Sequence, residues 1–418
     1  MTNDHFIDLS VEAQTRLIDG ARDSQPVIGL THGFYKYPAR FSPAFARAAI
    51  EAFTKPGDVV MDPHVGGGTS LVEAIAAGRH AIGVDISELA EFVTTVKTTV
   101  YGAAELDKLD AWSRCVASSI GLRKRTARFE GYLERGYYKH LDNRSRWRLR
   151  KAIEQGLLSA LRLDSERLKA FGRCAVLRTA QWALDGRARL PNLDGFRRTL
   201  EATAVEMVEG ARALHDAVNA IGRSPMVAVL HRTAHGIEND EHVHDWHAPR
   251  LVVTSPPYPG VHVLYHRWQV DGRKETPAPF WIAGKLDGSG SSYYTMGDRK
   301  YPQLATYFAN IKGTMSSVAK VANKDTIFVQ MVAFSDASWQ LPRYLEAMNE
   351  AGLQEVFLPA LGGERLWRSV PGRRWYSDQR GATPGSQEVV LIHRKAPARQ
   401  PSKASLAASV AASSTAAR

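Results

Sequence analysis

Cysteine is nearly absent: Cys115 and Cys174 are the only two in 418 residues. Two are too few for a disulfide framework or a zinc ribbon. Both lie in helix-like surroundings, where a lone thiol reads as a small apolar side chain. No apolar run approaches the roughly 18 residues that cross a bilayer. The opening "MTNDHFIDLS" has neither the basic start nor the apolar stretch of a signal peptide. A cytoplasmic protein with no membrane partner is expected. The one histidine-rich stretch, "HVHDWH" (His242, His244, His247), has no cysteine or carboxylate cluster beside it. A polar loop before a strand is expected there, and no metal site.

What is present is an ordinary globular composition, 44% hydrophobic and 23% charged, with an uneven charge distribution. Residues 101–200 hold 22 Lys and Arg against 11 Asp and Glu, which equals the net charge of +11 of the whole chain. The excess is densest in "GLRKRTARFE" and "NRSRWRLRK". Clustered cations of this kind are the footprint of a phosphate-binding surface. Solvated helices whose arginines pair with nearby acids are the plainer reading of the same pattern.

From residue 56 the chain alternates. "GDVVMD" reads as a buried strand ended by an acid, "TSLVEAIAAG" as a helix with a glycine stop, "HAIGVD" as a second strand and "SELAEFVTTVKTTV" as a second helix. Strands resume at 225–231, 250–255, 325–332 and 387–393, with helices between the later ones. Between them, residues 105–222 show helical spacing and few strand-like runs. The expected fold is α/β, a Rossmann-like parallel sheet covered on both faces and interrupted by a large basic helical insertion. The expected divisions are an N-terminal extension over 1–30, a catalytic domain from 31–100 plus 225–395, the insertion at 101–224, and a disordered Ala/Ser-rich tail at 396–418.

Two stretches carry chemistry. In "VVMDPHVGGGTSLVEA" a strand ending at Asp62 runs into Gly66, Gly67 and Gly68 and then a helix. Glycines let backbone approach a ligand, and a helix start offers free N–H groups. No lysine follows them, which excludes a phosphate loop. Leu71 stands where a dinucleotide motif has its third glycine. Asp85, ending the next strand, is placed to accept from two ribose hydroxyls. An adenosyl cofactor fits best. In "VVTSPPYPG" the segment Ser255-Pro256-Pro257 is stiff and poor in donors, leaving carbonyls and a hydroxyl as acceptors for an amine. Tyr258 offers a ring on which a planar base can stack. Alone, this second stretch reads equally as a strand terminator.

Together the two motifs resemble those of the amino-methyltransferases of DNA, whose glycine motif is Asp-Pro-Phe-x-Gly-x-Gly-Thr and whose catalytic motif is Ser/Asn/Asp-Pro-Pro-Tyr/Phe. "YKYPARFSP" (35–43) is similar to an element that precedes the glycine motif in many members. The resemblance implies S-adenosylmethionine as cofactor, its methionine part surrounded by Asp62, Pro63, Gly66, Gly68 and Thr69, and its ribose held by Asp85. Tyr37, Pro38 and Phe41 would close over it, and Ser255, Pro256, Pro257 and Tyr258 would take a flipped base. His64 replaces the usual phenylalanine, "LHRTAHG" lacks the acid often aimed at the adenine amine, and the motif order is that of a circular permutation.

The implied reaction is methyl transfer to an exocyclic amine of double-stranded DNA. Serine at 255 favours cytosine N4 within the family. Adenine N6, and a non-catalytic DNA-binding protein keeping the fold, are the alternatives. Carbon-5 methylation would need a cysteine nucleophile that this segment lacks. Arg123, Lys124, Arg125, Arg146, Arg148 and Arg150 are the expected phosphate contacts, with Trp147 or Tyr137 reaching bases. The stretch after the catalytic motif, from residue 265 to 300, is expected to form a loop over the active site. A cognate restriction or defence protein is a further candidate partner.

Overall fold

The computed structural model describes residues 5–37, 42–187, 189–260, 267–270, 272, 274–288, 294–297, 301–369 and 387–397. Helix α1 (Val11–Arg22), capped by Ser10, packs on α2 (Pro43–Phe53), capped by Ser42 with Pro43 in the first turn. Proline there loses no helical hydrogen bond. Next come β1 (Val59–Asp62), α3 (Thr69–Ala76), β2 (His80–Asp85) and α4 (Glu88–Thr98). The insertion contributes α5 (Ala103–Cys115), α6 (Glu130–Glu134), α7 (Trp147–Ala160), α8 (Glu166–Leu184) and α9 (Leu193–Ile221). The chain then returns through β3 (Val227–His231), α10 (Glu241–His244) and β4 (Leu251–Thr254). A hairpin, β5 (Trp268–Val270) and β6 (Lys274–Thr276), precedes α11 (Ala278–Ala283) and α12 (Ala305–Val321). Last are β7 (Ile327–Ala333), α13 (Ala337–Glu350), β8 (Leu353–Val356), β9 (Leu366–Ser369) and β10 (Gln387–Lys395).

The main sheet runs β3-β2-β1-β4-β7-β10-β8, with β9 also on β10. The first five strands are parallel. The expectation of a parallel sheet holds for them and fails for β10, which is antiparallel to β7, β8 and β9. The central strands are apolar on both faces, as a sheet covered by helices on each side requires. Met61, Val252, Phe328 and Val332 face the core under α12 and α13. Val60, Leu251, Val253 and Met331 face the core under α1, α2 and α3. Within the expected N-terminal extension, α1 buries Leu17 and Ala21 completely in that second core.

The insertion packs Phe171, Leu177, Phe196 and Leu200 into a core that it shares with Phe34 and with Leu89 and Val93 of α4. Trp268, Phe280 and Trp281 are buried in that same core. The expected loop over the active site is therefore, where described, a packed hairpin and helix: aromatic rings that size gain more from burial than from exposure. Helix α9 is 29 residues, about 44 Å long. Its Phe196 and Leu200 sit in the insertion core, while Leu214 and Val218 sit in the sheet core. Among the described residues no helix is long and apolar enough to cross a membrane, and no cluster of metal-ligating side chains occurs. The expected tail from 398 onward, like Pro38 and Phe41, lies outside the described residues.

Candidate functional site

Both chemical stretches leave parallel neighbours, β1 and β4, at their carboxyl ends. That edge is where an open α/β sheet presents its loops to ligands. Asp62 closes β1 and is 1% exposed. Its Oδ1 accepts from Thr254 Oγ1 at 2.7 Å and from the His64 N–H at 3.1 Å, and its Oδ2 accepts from Ser70 Oγ at 2.5 Å. One carboxylate thus ties β1, β4 and the start of α3 together. Burial pushes its pKa up to about 6. Asp62, expected beside the methionine part of a cofactor, accepts three hydrogen bonds from the protein. It shapes the turn from beneath.

Each glycine of the turn has a reason. Gly66 and Gly68 sit at φ +48° and +74°, the left-handed region that side chains avoid. A Cβ on Gly67 would lie 2.8 Å from Tyr37 Cβ, so the Tyr37 ring packs directly on the turn. Beneath, the fully buried Lys97 of α4 donates to the Gly67 carbonyl, and Thr94 Oγ1 donates to the Gly66 carbonyl at 3.1 Å. Asp85 is half-buried at the end of β2, its Oδ2 accepting from the Gly66 N–H and its Oδ1 from the Ser87 N–H, both at 2.9 Å. Burial pushes its pKa up to about 6 as well. Thr69 opens α3, and its Oγ1 is buried with no partner among the described residues.

His64, a departure from the family motif, has a definite state in the structure. Thr254 spends its one proton on Asp62, so at 3.3 Å it accepts from His64 Nδ1–H. The other ring nitrogen, Nε2, is then a buried acceptor without a partner among the described residues. Burial holds the ring pKa down at about 4, so it is neutral.

Ser255 is half-buried, and Pro256 is buried beside it. Ser255 Oγ lies 3.2 Å from Tyr258 Oη, which donates to Glu388 Oε1 at 2.6 Å. Glu388 Oε2 accepts from Arg368 Nε at 2.7 Å, and both residues are buried. The Pro257 carbonyl accepts from Tyr307 Oη at 2.8 Å. The Tyr258 ring, expected as a stacking platform, is only 8% exposed and packs among Leu304, Tyr307 and Phe334. In this structure its hydroxyl supports Ser255, and its face is covered. Sequence reasoning missed Glu388 and Arg368, because they lie more than 110 residues downstream on strands whose pairing no local pattern announces.

The expected phosphate contacts divide. Arg123, Lys124, Arg125 and Arg148 are exposed. Arg146 and Arg150 are 5% and 9% exposed and are withdrawn from a phosphate surface. Arg150 is bound to Asp142 at 3.0 Å and Glu154 at 2.7 Å, with its guanidinium 6.0 Å from the Tyr138 ring centre. Tyr137 accepts from the Asp287 N–H at 2.7 Å and packs against Tyr132 and Phe280, which makes it structural as well. Gln155, 3% exposed, accepts from the Gly121 N–H and donates to the carbonyls of Gly121, Lys124 and Arg125, clamping the backbone beneath the exposed basic run. Cys174 is fully buried with its thiol pushed up to about 12 by burial, and so is inert, whereas Cys115 is exposed at the end of α5.

Residues 17–95 match the model of the N6/N4 DNA methylase family. A 78-residue stretch is 32% identical to Type II methyltransferase M.MjaII of Methanocaldococcus jannaschii, covering 19% of this chain and 15% of that one. Over 82 residues it is 38% identical to Type II methyltransferase M.MvaI of Kocuria varians, covering 19% of this chain and 18% of that one. The chain thus spans less than a fifth of the length of these curated relatives. Among solved structures, the rRNA methyltransferase aviRa of Streptomyces viridochromogenes aligns over 90% of this chain and 96% of that chain, at 12% identity and a TM-score of 0.36, a superposition too loose to carry weight.

Proposed function

We propose that the chain, of which residues 17–95 match the N6/N4 DNA methylase family model, is an S-adenosylmethionine-dependent DNA methyltransferase acting on an exocyclic amine, cytosine N4 being the favoured target. The observation that carries this reading is the hydrogen bond of 2.7 Å between Thr254 and Asp62. It joins the segment before Ser255 to the acid before the glycine turn, across 192 residues of sequence. The family match covers the glycine turn and stops far short of Ser255; the fold brings the second motif to it.

The residues present suit the cofactor. Asp85 is a half-buried carboxylate at a strand end, the turn itself carries no side chains, and the Thr69 hydroxyl and His64 Nε2, unpartnered among the described residues, lie at it as spare polar atoms. S-adenosylmethionine, when bound, supplies a methyl group on a cationic sulfur that leaves without acid assistance. The protein's task is then orientation and electrostatics. Ser255 Oγ and the Pro256 carbonyl accept from the two amine hydrogens, turning the nitrogen lone pair toward the methyl group. The exposed Arg123, Lys124, Arg125 and Arg148 contact phosphates and position the duplex.

Expression in a host without DNA methylation, followed by single-molecule sequencing of the host DNA, reads the base and its context together. A mark at cytosine N4 that disappears in Ser255→Ala is the expected result. A mark at adenine N6 transfers the reading to that base, and heatless calorimetric titration with S-adenosylmethionine overturns it.

A further inference from the structure

The polar chain behind Ser255 has a fixed direction. A phenol carries one proton, and Tyr258 gives its proton to Glu388 at 2.6 Å, the shortest contact in the chain. The oxygen of Tyr258 can then only accept from Ser255 across the 3.2 Å between them. Ser255 in turn has its single proton committed to Tyr258, and its free lone pairs are all that it can show a ligand. The anchor of the series is the ion pair between Glu388 and Arg368, which face each other directly across β9 and β10. Arg368 Nη1 also donates to the Ala21 carbonyl at 3.1 Å, at the end of α1. Both charges are at least nine-tenths buried, so neither can swing out to water without losing its partner.

We infer that Glu388, held by Arg368 and acting through Tyr258, is a positioning residue that makes the Ser255 hydroxyl an acceptor toward the target. An amine, which offers hydrogens, meets lone pairs there. A carbonyl at the same place meets lone pairs too and is repelled, so the device selects the bases that carry an exocyclic amine at the reacting position over those that carry an oxygen. The inference rests on the proposed part of Ser255 in methyl transfer, but its content is separate: it names what sets the polarity of that serine.

The isosteric change Glu388→Gln supplies a sharp test. Arg368 offers only donors, so it turns the amide oxygen toward itself and leaves the amide NH2 facing Tyr258. Tyr258 must then accept from the amide and donate to Ser255, and Ser255 now points its proton at the target. The variant keeps the volume of the side chain and inverts the chain of donors. Tyr258→Phe, by contrast, only releases Ser255 to rotate.

The measurement is incorporation of labelled methyl groups from S-adenosylmethionine into unmethylated DNA by the full-length chain, with kcat and KM resolved. Tyr258→Phe is expected to lower kcat about tenfold and Glu388→Gln about a hundredfold, the sizes of one misdirected and one opposed hydrogen bond in a preorganised site. The double variant is expected to recover to the level of Tyr258→Phe, because phenylalanine uncouples Ser255 from the inverted amide. KM for DNA stays within about twofold in all three. A merely structural Glu388 predicts losses that multiply, and that outcome overturns the inference, as does a wild-type kcat in Glu388→Gln. If Glu388→Gln does not fold, Tyr258→Phe decides alone, since it leaves the buried ion pair in place and an unchanged kcat there is fatal. Wild-type protein and Ser255→Ala run alongside: equal incorporation by both strikes the methyl-transfer role of Ser255 itself, whereas loss in Ser255→Ala with normal rates in the other variants strikes only the positioning by Glu388.

Discussion

At the carboxyl edge of the sheet, Asp62 and Glu388 each hold several neighbours in place from below a surface that a ligand would meet. In the insertion, Arg150 does the same beneath a basic surface, taking Asp142 and Glu154 while Arg123, Lys124 and Arg125 remain exposed above the Gln155 clamp. The two regions share one construction, a buried charge fixing a loop, with the signs reversed. They differ in what the loop then shows. The sheet edge shows acceptors and bare backbone, suited to one small ligand in one orientation. The insertion shows long cations, suited to a polyanion in many registers. A residue type alone does not say which side of this division it falls on; burial does.

The comparison can be broken most forcefully at Asp62. Asp62→Leu leaves Ser70, Thr254 and the His64 N–H without their acceptor, and unfolding in urea should show a loss of about 3–5 kcal/mol. Asp85→Ala tests the surface instead of the support: calorimetry should show S-adenosylmethionine binding about 100-fold weaker, with a much smaller change in unfolding free energy. In the insertion the same contrast is drawn between arginines. Arg150→Ala should cost about 3 kcal/mol of stability and leave the salt dependence of DNA binding unchanged. The triple change Arg123→Ala, Arg125→Ala and Arg148→Ala should leave stability alone and flatten the logarithmic salt slope by up to about 2.7. An exposed triple that leaves the slope intact would remove the insertion from the DNA surface.

The smallest effect is in pH. Asp62 has its pKa raised from 3.8 to about 6, so between those values the folded state binds more protons than the unfolded one. This group's contribution to stability is therefore fully present below pH 3.8 and is lost as pH rises through about 6, by about 1 kcal/mol per pH unit between them. Asp62→Asn should remove that part of the slope in denaturant titrations run at several pH values. A slope of the opposite sign in the wild type would show that the donors around Asp62 outweigh its burial.

The cofactor side was legible because its information is local. An acid, a glycine turn and a helix follow one another within "MDPHVGGGTS", and β1, α3, β2 and α4 lie where the apolar pattern puts them. Three-residue β5 and β6 are too short to carry a period, and β8 and β9, though as long as β1 and β4, lack the unbroken apolar run that marks those two. The antiparallel direction of β10 is a property of its neighbours and leaves no mark on "QEVVLIH". Arg146 and Arg150 look like Arg148 in sequence. Only the 3.6-residue turn of α7, which carries Arg150 inward to Glu154 and Arg148 outward, separates them. Glu388 and Tyr258 meet across 130 residues, so the support of the candidate catalytic serine is visible only in the folded chain.

Helix α9 has a consequence for anyone wishing to exchange target preference between proteins. Its first half is mortared into the insertion and its second half into the sheet, and Gly210 admits the Leu30 carbonyl where any larger residue would collide with it. A graft cut at the tidy sequence limits of the insertion would carry away Leu214 and Val218 and open the floor of the catalytic half. The seam for a chimera therefore runs through the helix, with the donor's residues ending before Gly210 and the recipient's own last turns retained.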